Sequence, residues 1–263
     1  MMRFLRAAAV AAALWSGTAA PANAEIEVDL ALVIAVDISY SMDPDEQELQ
    51  RDGFAEAFRS REVQDAIRRG MLGRIAVAYM EWSGQYDQRV LIPWTVLDEH
   101  EAVMAFADRI AASPLRRANR TSISGALEAA VKLHAESGLS PTRRVIDVSG
   151  DGPNNQGRIV TLARDETVRQ GITINGLPIM LKAPGWLDIP DLDRYYRDCV
   201  IGGPGAFLVP ARDKAQFRQA IKTKILLEVA GGMPEEPMVK LAQAEERANC
   251  LIGETQWRDR MGP

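Results

Sequence analysis

The chain is poor in the residues that build most catalytic and metal centres. It has two cysteines, two histidines and 6% aromatic residues in 263 positions. Cys199 and Cys250 stand too far apart for a C-x-x-C redox motif, and they are too few for a zinc set. His100 and His134 fall in stretches with helical spacing and have no partner motif, so neither reads as a general base or a ligand. The G-x-S-x-G turn of acyl hydrolases, the phosphate-binding P-loop and the dinucleotide fingerprint G-x-G-x-x-G are all missing. Internal repeats and low-complexity linkers are absent as well, which leaves one large domain as the expected organisation. Long apolar runs are also lacking. The uncharged stretch Ala7 to Trp15 is well short of the ~20 residues that a spanning helix needs.

That short run has a different reading. Arg3 and Arg6 precede it, and the small residues Ala22-Asn23-Ala24 follow before Glu25. A basic start, a short apolar core and an A-x-A site predict a cleaved export signal over residues 1–24 and a soluble periplasmic or secreted protein. No cysteine stands at the cleavage point to carry a lipid. Cleavage removes two arginines and no acid. Against 36 acidic residues the basic count falls from 31 to 29, and the net charge from −5 to −7. An acidic surface disfavours nucleic acid and anionic lipid as partners. In an oxidising compartment Cys199 and Cys250 are expected to pair, although two separate buried thiols would satisfy the same spacing.

From residue 25 onward, uninterrupted apolar runs alternate with amphipathic ones. Val28 to Val36 is a buried-strand run. Asp43-Pro44-Asp45-Glu46 then carries a helix-capping box, with proline at the first helical position. Strands are predicted at Arg74 to Glu81 and Gln88 to Val96. The short polar link between them suits a hairpin, and Pro93 places the second at a sheet edge. Helices over 100–112, 122–135, 159–170 and 213–229 alternate with strands at Arg143 to Ser149, Thr173 to Leu177 and Ala206 to Val209. Asp188 to Cys199 suggests a short helix. The pattern predicts an α/β domain over 25–232: a Rossmann-like, doubly wound, mostly parallel sheet with one antiparallel edge strand and helices on both faces. Residues 233–263 read as a helical tail with a weak apolar stripe over 238–252, tied back by the disulfide if it forms. Trp82, Trp94 and Trp186 suit core or rim. Asp188, Asp191, Asp193 and Asp198 form an acidic stretch without calcium-loop spacing, so they read as a solvated face.

On such sheets ligands bind beyond the carboxyl ends of the strands. The first strand ends in Asp37-Ile38-Ser39-Tyr40-Ser41, one carboxylate and two hydroxyls at alternating positions. Extended backbone turns alternate side chains the same way, and oxygen-only donors suit a hard cation such as Mg²⁺. Taken alone the motif reads equally as a polar turn that caps the next helix. Thr121 enters a helix in Arg120-Thr121-Ser122-Ile123-Ser124-Gly125-Ala126-Leu127, and Asp151 follows a strand in Ser149-Gly150-Asp151-Gly152.

Together these three pieces resemble the metal-ion-dependent adhesion site of von Willebrand factor type A domains, over about Val28 to Val229. Phrases such as Val145 to Asn155 and Gly171 to Pro178 are also similar to a family of exported bacterial proteins, domain of unknown function 1194. The resemblance implies a binding module, not an enzyme, that holds Mg²⁺ or Mn²⁺. Ser39 and Ser41 would ligate directly, and Thr121 directly or through water. Asp37 and Asp151 would hold metal-bound waters, and a carboxylate from a protein partner would complete the shell. Tyr40 and Arg120 replace glycines common in such domains and would stand at the rim with Asn154, although ordinary exposed loop positions explain them equally. Asn154 and Asn155 would shape the loop or cap a helix. Two other readings stay open: a metal-dependent phosphohydrolase with Asp37 as nucleophile, and a structural domain without a functional ligand.

Overall fold

A computed structural model describes residues 25–182, 185, 189–231 and 247–261. The expected signal segment, Trp186, Asp188 and most of the tail stripe over 238–252 lie outside the described residues. Strand β1 (Ile26–Asp37) is flanked by β2 (Ile75–Trp82) and β4 (Leu139–Gly150), with β3 (Gln88–Leu97) and β5 (Thr173–Pro178) outside them. The order is β3-β2-β1-β4-β5. Every pairing is parallel except the β2–β3 hairpin. The hairpin register shifts between Val77 and Met80, opposite Pro93, where proline has no N–H to offer the ladder.

The period of two along β1 builds both cores. Leu30, Leu32, Ile34 and Val36 join a cluster with Phe54, Phe58, Phe106, Phe217 and Ile221, while Val33 and Ala35 face a second cluster with Trp82, Leu127 and Tyr196. Helices α1 (Pro44–Arg59), α2 (Arg61–Arg68), α3 (His100–Ala111) and α7 (Phe217–Ala230) therefore cover one face. Helices α4 (Ile123–Ala135), α5 (Val160–Arg169) and the short α6 (Leu192–Tyr195), which runs on into a π turn at Tyr196–Val200, cover the other. The expected capping box opens α1: the Glu46 backbone N–H donates to Asp43 Oδ1 and the Asp43 N–H donates back to Glu46 Oε2, both at 3.0 Å.

Two expectations change. Ala206 to Val209 makes one isolated bridge to β5, Leu208 with Gly176, instead of a strand, and a second bridge, Ala211 with Ile179, lies just past both segments. Gly202-Gly203-Pro204-Gly205 before it and Pro210 after it interrupt any ladder. In the tail, the described residues 247–250 are not helical, and helix α8 runs over Ile252–Met261. Asn249 sets that start, because its side-chain oxygen accepts from Leu251 N at 3.0 Å in an Asx turn. Cys199 and Cys250 are bonded, with Cα atoms 5.5 Å apart, so α8 is tied to the π turn. Among the described residues no helix is long and apolar enough to cross a membrane.

Candidate metal centre

β1 and β4 are parallel neighbours, and the chain leaves them in opposite directions along the sheet. Their carboxyl ends therefore open a crevice at a topological switch point. Asp37 closes β1, and Asp151 follows the last residue of β4. The Ser39 backbone N–H donates to Asp37 Oδ1 at 2.7 Å. The two serine hydroxyls meet at 2.8 Å, and Ser41 Oγ donates to Asp151 Oδ1 at 2.6 Å. The expected convergence of the serines is present, but a turn produces it. Met42 N donates to Ser39 O at 3.0 Å, which folds residues 39–42 back on themselves.

Thr121 reaches the same place by pinning. The Asn155 N–H donates to Thr121 O at 2.8 Å, and Thr121 N donates to Asn155 Oδ1 at 3.0 Å, so the loop after β4 and the entry to α4 hold each other in register. Ser122 caps α4 by accepting from Gly125 N at 3.1 Å. Thr121 Oγ1 faces Gly152, lying 3.9 Å from where a β-carbon would stand. Asp37, Ser39, Ser41, Thr121 and Asp151 thus come from three loops to one crevice.

The donor set fits a hard cation. Two carboxylates and three hydroxyls are oxygen donors throughout, and no group of three or more His, Cys, Asp or Glu residues competes for a metal among the described residues. Asp37 is wholly buried, and its Oδ2 has no hydrogen-bond partner. Burial pushes its pKa well above the ordinary carboxylate value, the charge of Asp151 pushes it further, and hydrogen bonds from Ser39 pull it back. A buried carboxylate beside a second one lacks positive charge, which a bound cation would supply. Gly150 keeps the space open, since a β-carbon there would stand 2.8 Å from Asp37 Oδ2 and 3.0 Å from Tyr196 Oη.

The rim differs from expectation at one position. Tyr40 is half exposed beside the crevice, with the Arg117 guanidinium 5.0 Å from its ring centre and donating to its carbonyl at 2.6 Å. Arg120 lines the same cleft. Asn154, expected at the rim, is fully buried. Its Oδ1 accepts from Ser124 N at 3.0 Å, and its Nδ2 donates to Glu254 Oε1 at 2.8 Å. Asn155 takes the rim position, because the tail helix packs over Asn154. The remaining candidates do not join the centre. His134 is buried against Trp94 and donates from Nε2 to Val145 O at 3.2 Å, while His100 bonds Gln64 Oε1. Asp191, Asp193 and Asp198 pair with Arg194, Arg212 and Arg197.

Two contributors escaped sequence reasoning. Lys182 donates to Ser41 O at 2.7 Å and pairs with Glu46 at 2.5 Å, which fastens the loop after β5 to the serine turn. Helix α8 walls the cleft with Gly253, Gln256 and Trp257. The expected disulfide was the one sequence signal that the tail lies against the domain.

This architecture is that of the von Willebrand factor type A domains. The chain resembles proximal thread matrix protein 1 from the mussel byssus, in a structure titled as having a zinc-occupied MIDAS motif (14% identity, TM-score 0.58, 78% of this chain and 49% of that one). It also resembles the pilus adhesin SpaC from Lactobacillus rhamnosus GG (11% identity, TM-score 0.59, 77% and 31%). A third likeness is to a von Willebrand factor type A protein from Catenulispora acidiphila (14% identity, TM-score 0.52, 77% and 43%). At these identities the likeness establishes the fold, and the chain spans less than half the length of each. The chain belongs to the family described as protein of unknown function (DUF1194), whose model matches residues 27–233. A comparison with curated proteins finds no match.

Proposed function

We propose that the chain is an exported binding module that holds Mg²⁺ or Mn²⁺ at Asp37, Ser39, Ser41, Thr121 and Asp151, and captures a protein partner through an acidic side chain. The observation that carries this reading is the convergence of these side chains around a buried carboxylate that has an unpartnered oxygen. The hydroxyls of Ser39, Ser41 and Thr121 are neutral donors. Asp37 and Asp151 supply charge from behind them. A cation held mainly by neutral donors keeps an open position that favours an anionic oxygen. Arg117 and Arg120 add positive charge at the rim, which draws an acidic partner to a chain that is negative overall.

Binding is favoured over turnover because Asp37, the residue that a phosphohydrolase would use as nucleophile, is wholly buried and directed at Gly150 and Tyr196. The test is capture of a capped aspartate-containing peptide by the immobilised protein with Mg²⁺ and with a chelator. Saturable binding that the chelator abolishes, and that is absent for the asparagine peptide, supports the reading. Equal binding of both peptides, or binding indifferent to the chelator, contradicts it.

A further inference from the structure

Arg120 occupies a backbone conformation that favours glycine. Its φ is +78°, the one positive value at a non-glycine position among the described residues. That conformation crowds a β-carbon against the backbone. Glycine at this position would remove the strain without loss of any hydrogen bond among the described residues. Strain retained at a loop beside a binding crevice points to the side chain as its reason.

The guanidinium of Arg120 lies on the Trp257 indole, 3.6 Å from the ring centre. Stacking uses the flat face of the guanidinium and leaves its N–H edges available for a carboxylate in bidentate geometry. The neighbouring arginines are committed differently. Arg116 pairs with Asp87 at 2.8 Å and Glu81 at 3.6 Å, and Arg117 donates to Tyr40 O. Arg120 forms no salt bridge among the described residues.

Trp257 is held in place by four ties. The Cys199–Cys250 bond anchors the start of the tail helix, and Ala248 N donates to Asp198 Oδ2 at 2.8 Å. Glu254 accepts from Asn154, and Gly253 lies so close to the loop after β4 that a β-carbon there would stand 2.2 Å from Asn154 O. Between α8 and the cation-site loops is a cleft of about 330 Å³ that Ser39, Ser41 and Thr121 share with Arg120 and Trp257. All of α8 lies beyond residue 233, where the family match ends.

We infer that Arg120, positioned by Trp257 of the disulfide-tied tail helix, is a second acid-binding subsite beside the cation site, and that the partner is an acidic peptide segment presenting two carboxylates. One carboxylate goes to the cation and the second to the Arg120 guanidinium. This inference rests on the cation-site reading for the first carboxylate only. The tail thereby selects paired acids over single ones.

The test uses calorimetry in excess Mg²⁺ with a capped aspartyl-glycyl-glutamyl peptide and its aspartyl-glycyl-glutaminyl counterpart, on the wild-type chain and on Arg120→Gly and Trp257→Ala. The wild type is expected to bind the diacidic peptide at least tenfold more tightly than the monoacidic one. Arg120→Gly should abolish that preference while keeping the Mg²⁺ affinity and an unchanged or higher melting temperature. Trp257→Ala should reduce the preference in part. Equal affinity of the two peptides for the wild type, or a preference that survives Arg120→Gly, overturns the inference and leaves the cation site standing. Failure of both peptides to bind removes the reading of acid capture at the cation site, and the inference with it.

Discussion

Ser41 Oγ donates to Asp151 Oδ1 at 2.6 Å across 110 positions of sequence, joining the turn after β1 to the loop after β4. That contact lies on the surface of the crevice, whereas the carboxylate behind it, Asp37, lies wholly inside. Ser41→Ala should therefore separate binding from folding. Removal of an exposed hydroxyl is expected to shift stability by less than ~0.5 kcal/mol, while Mn²⁺ affinity falls roughly tenfold or more. Parallel thermal melts and metal titrations check both. A variant that unfolds would mean that the hydroxyl is structural.

A buried ionic cluster lies beneath α7. Lys224 Nζ is 2.9 Å from Asp147 Oδ1 and 2.7 Å from Glu228 Oε1, and Asn175 donates to Glu228 Oε2 at 2.8 Å. Burial lowers the lysine's pKa, but the two carboxylates more than offset this and raise it. Burial lifts Asp147 to about 7, against the pull of Lys224. Lys224→Met leaves both acids buried without their cation, so urea unfolding should report a loss of about 3–5 kcal/mol. A loss below about 1 kcal/mol would show that water reaches the cluster.

Burial lowers the pKa of His134 to about 4. An unfolded histidine binds its proton near pH 6.5. Between these values the unfolded chain takes up a proton that the folded chain does not, so this contribution to stability is complete above pH 6.5 and is lost as the pH falls towards 4. The full effect is about 3 kcal/mol, at ~1.4 kcal/mol per unit. His134→Gln, whose amide can still donate to Val145 O, should show a shallower fall in urea-unfolding free energy between pH 7 and 4.5. Identical slopes would contradict the buried neutral ring.

Reduction of the Cys199–Cys250 bond opens a loop whose ends are 51 positions apart. Chain entropy limits the cost to about 4 kcal/mol. The specific expectation is local. Hydrogen exchange in peptides covering 252–261 should accelerate on reduction, while β1 and β4 stay protected. Unchanged exchange in α8 would mean that Gly253 and Glu254 hold the helix without the bond.

The sheet was legible because β1 and β2 are buried along most of their length, so their apolar runs are unbroken, and because Pro93 marks an edge. The crevice was legible because strand order forces side chains after parallel strands together, and because the D-x-S-x-S turn, Thr121 and Asp151 are local motifs. Ala206 to Val209 misled because its composition suits a strand, while the glycines and prolines around it decide the outcome. Asn154 misled because its burial depends on Glu254, 100 positions away. Trp257 left no local sign, since a half-buried tryptophan in a polar helix reads alike wherever that helix packs. The positive φ of Arg120 is equally silent in sequence, although its departure from a glycine common in similar domains marked the position.

The central claim is that the oxygen donors at the end of β1, ahead of α4 and after β4 hold one divalent cation. Calorimetric titration of Mg²⁺ and Mn²⁺ into the chelator-stripped protein, beside Asp37→Asn and Asp37→Ala, tests it most directly. One saturable site in the wild type, lost in both variants while their far-ultraviolet spectra and melts remain those of a folded chain, is the expected result. No saturable binding in the wild type, or a site of unchanged affinity in a folded Asp37 variant, would contradict it.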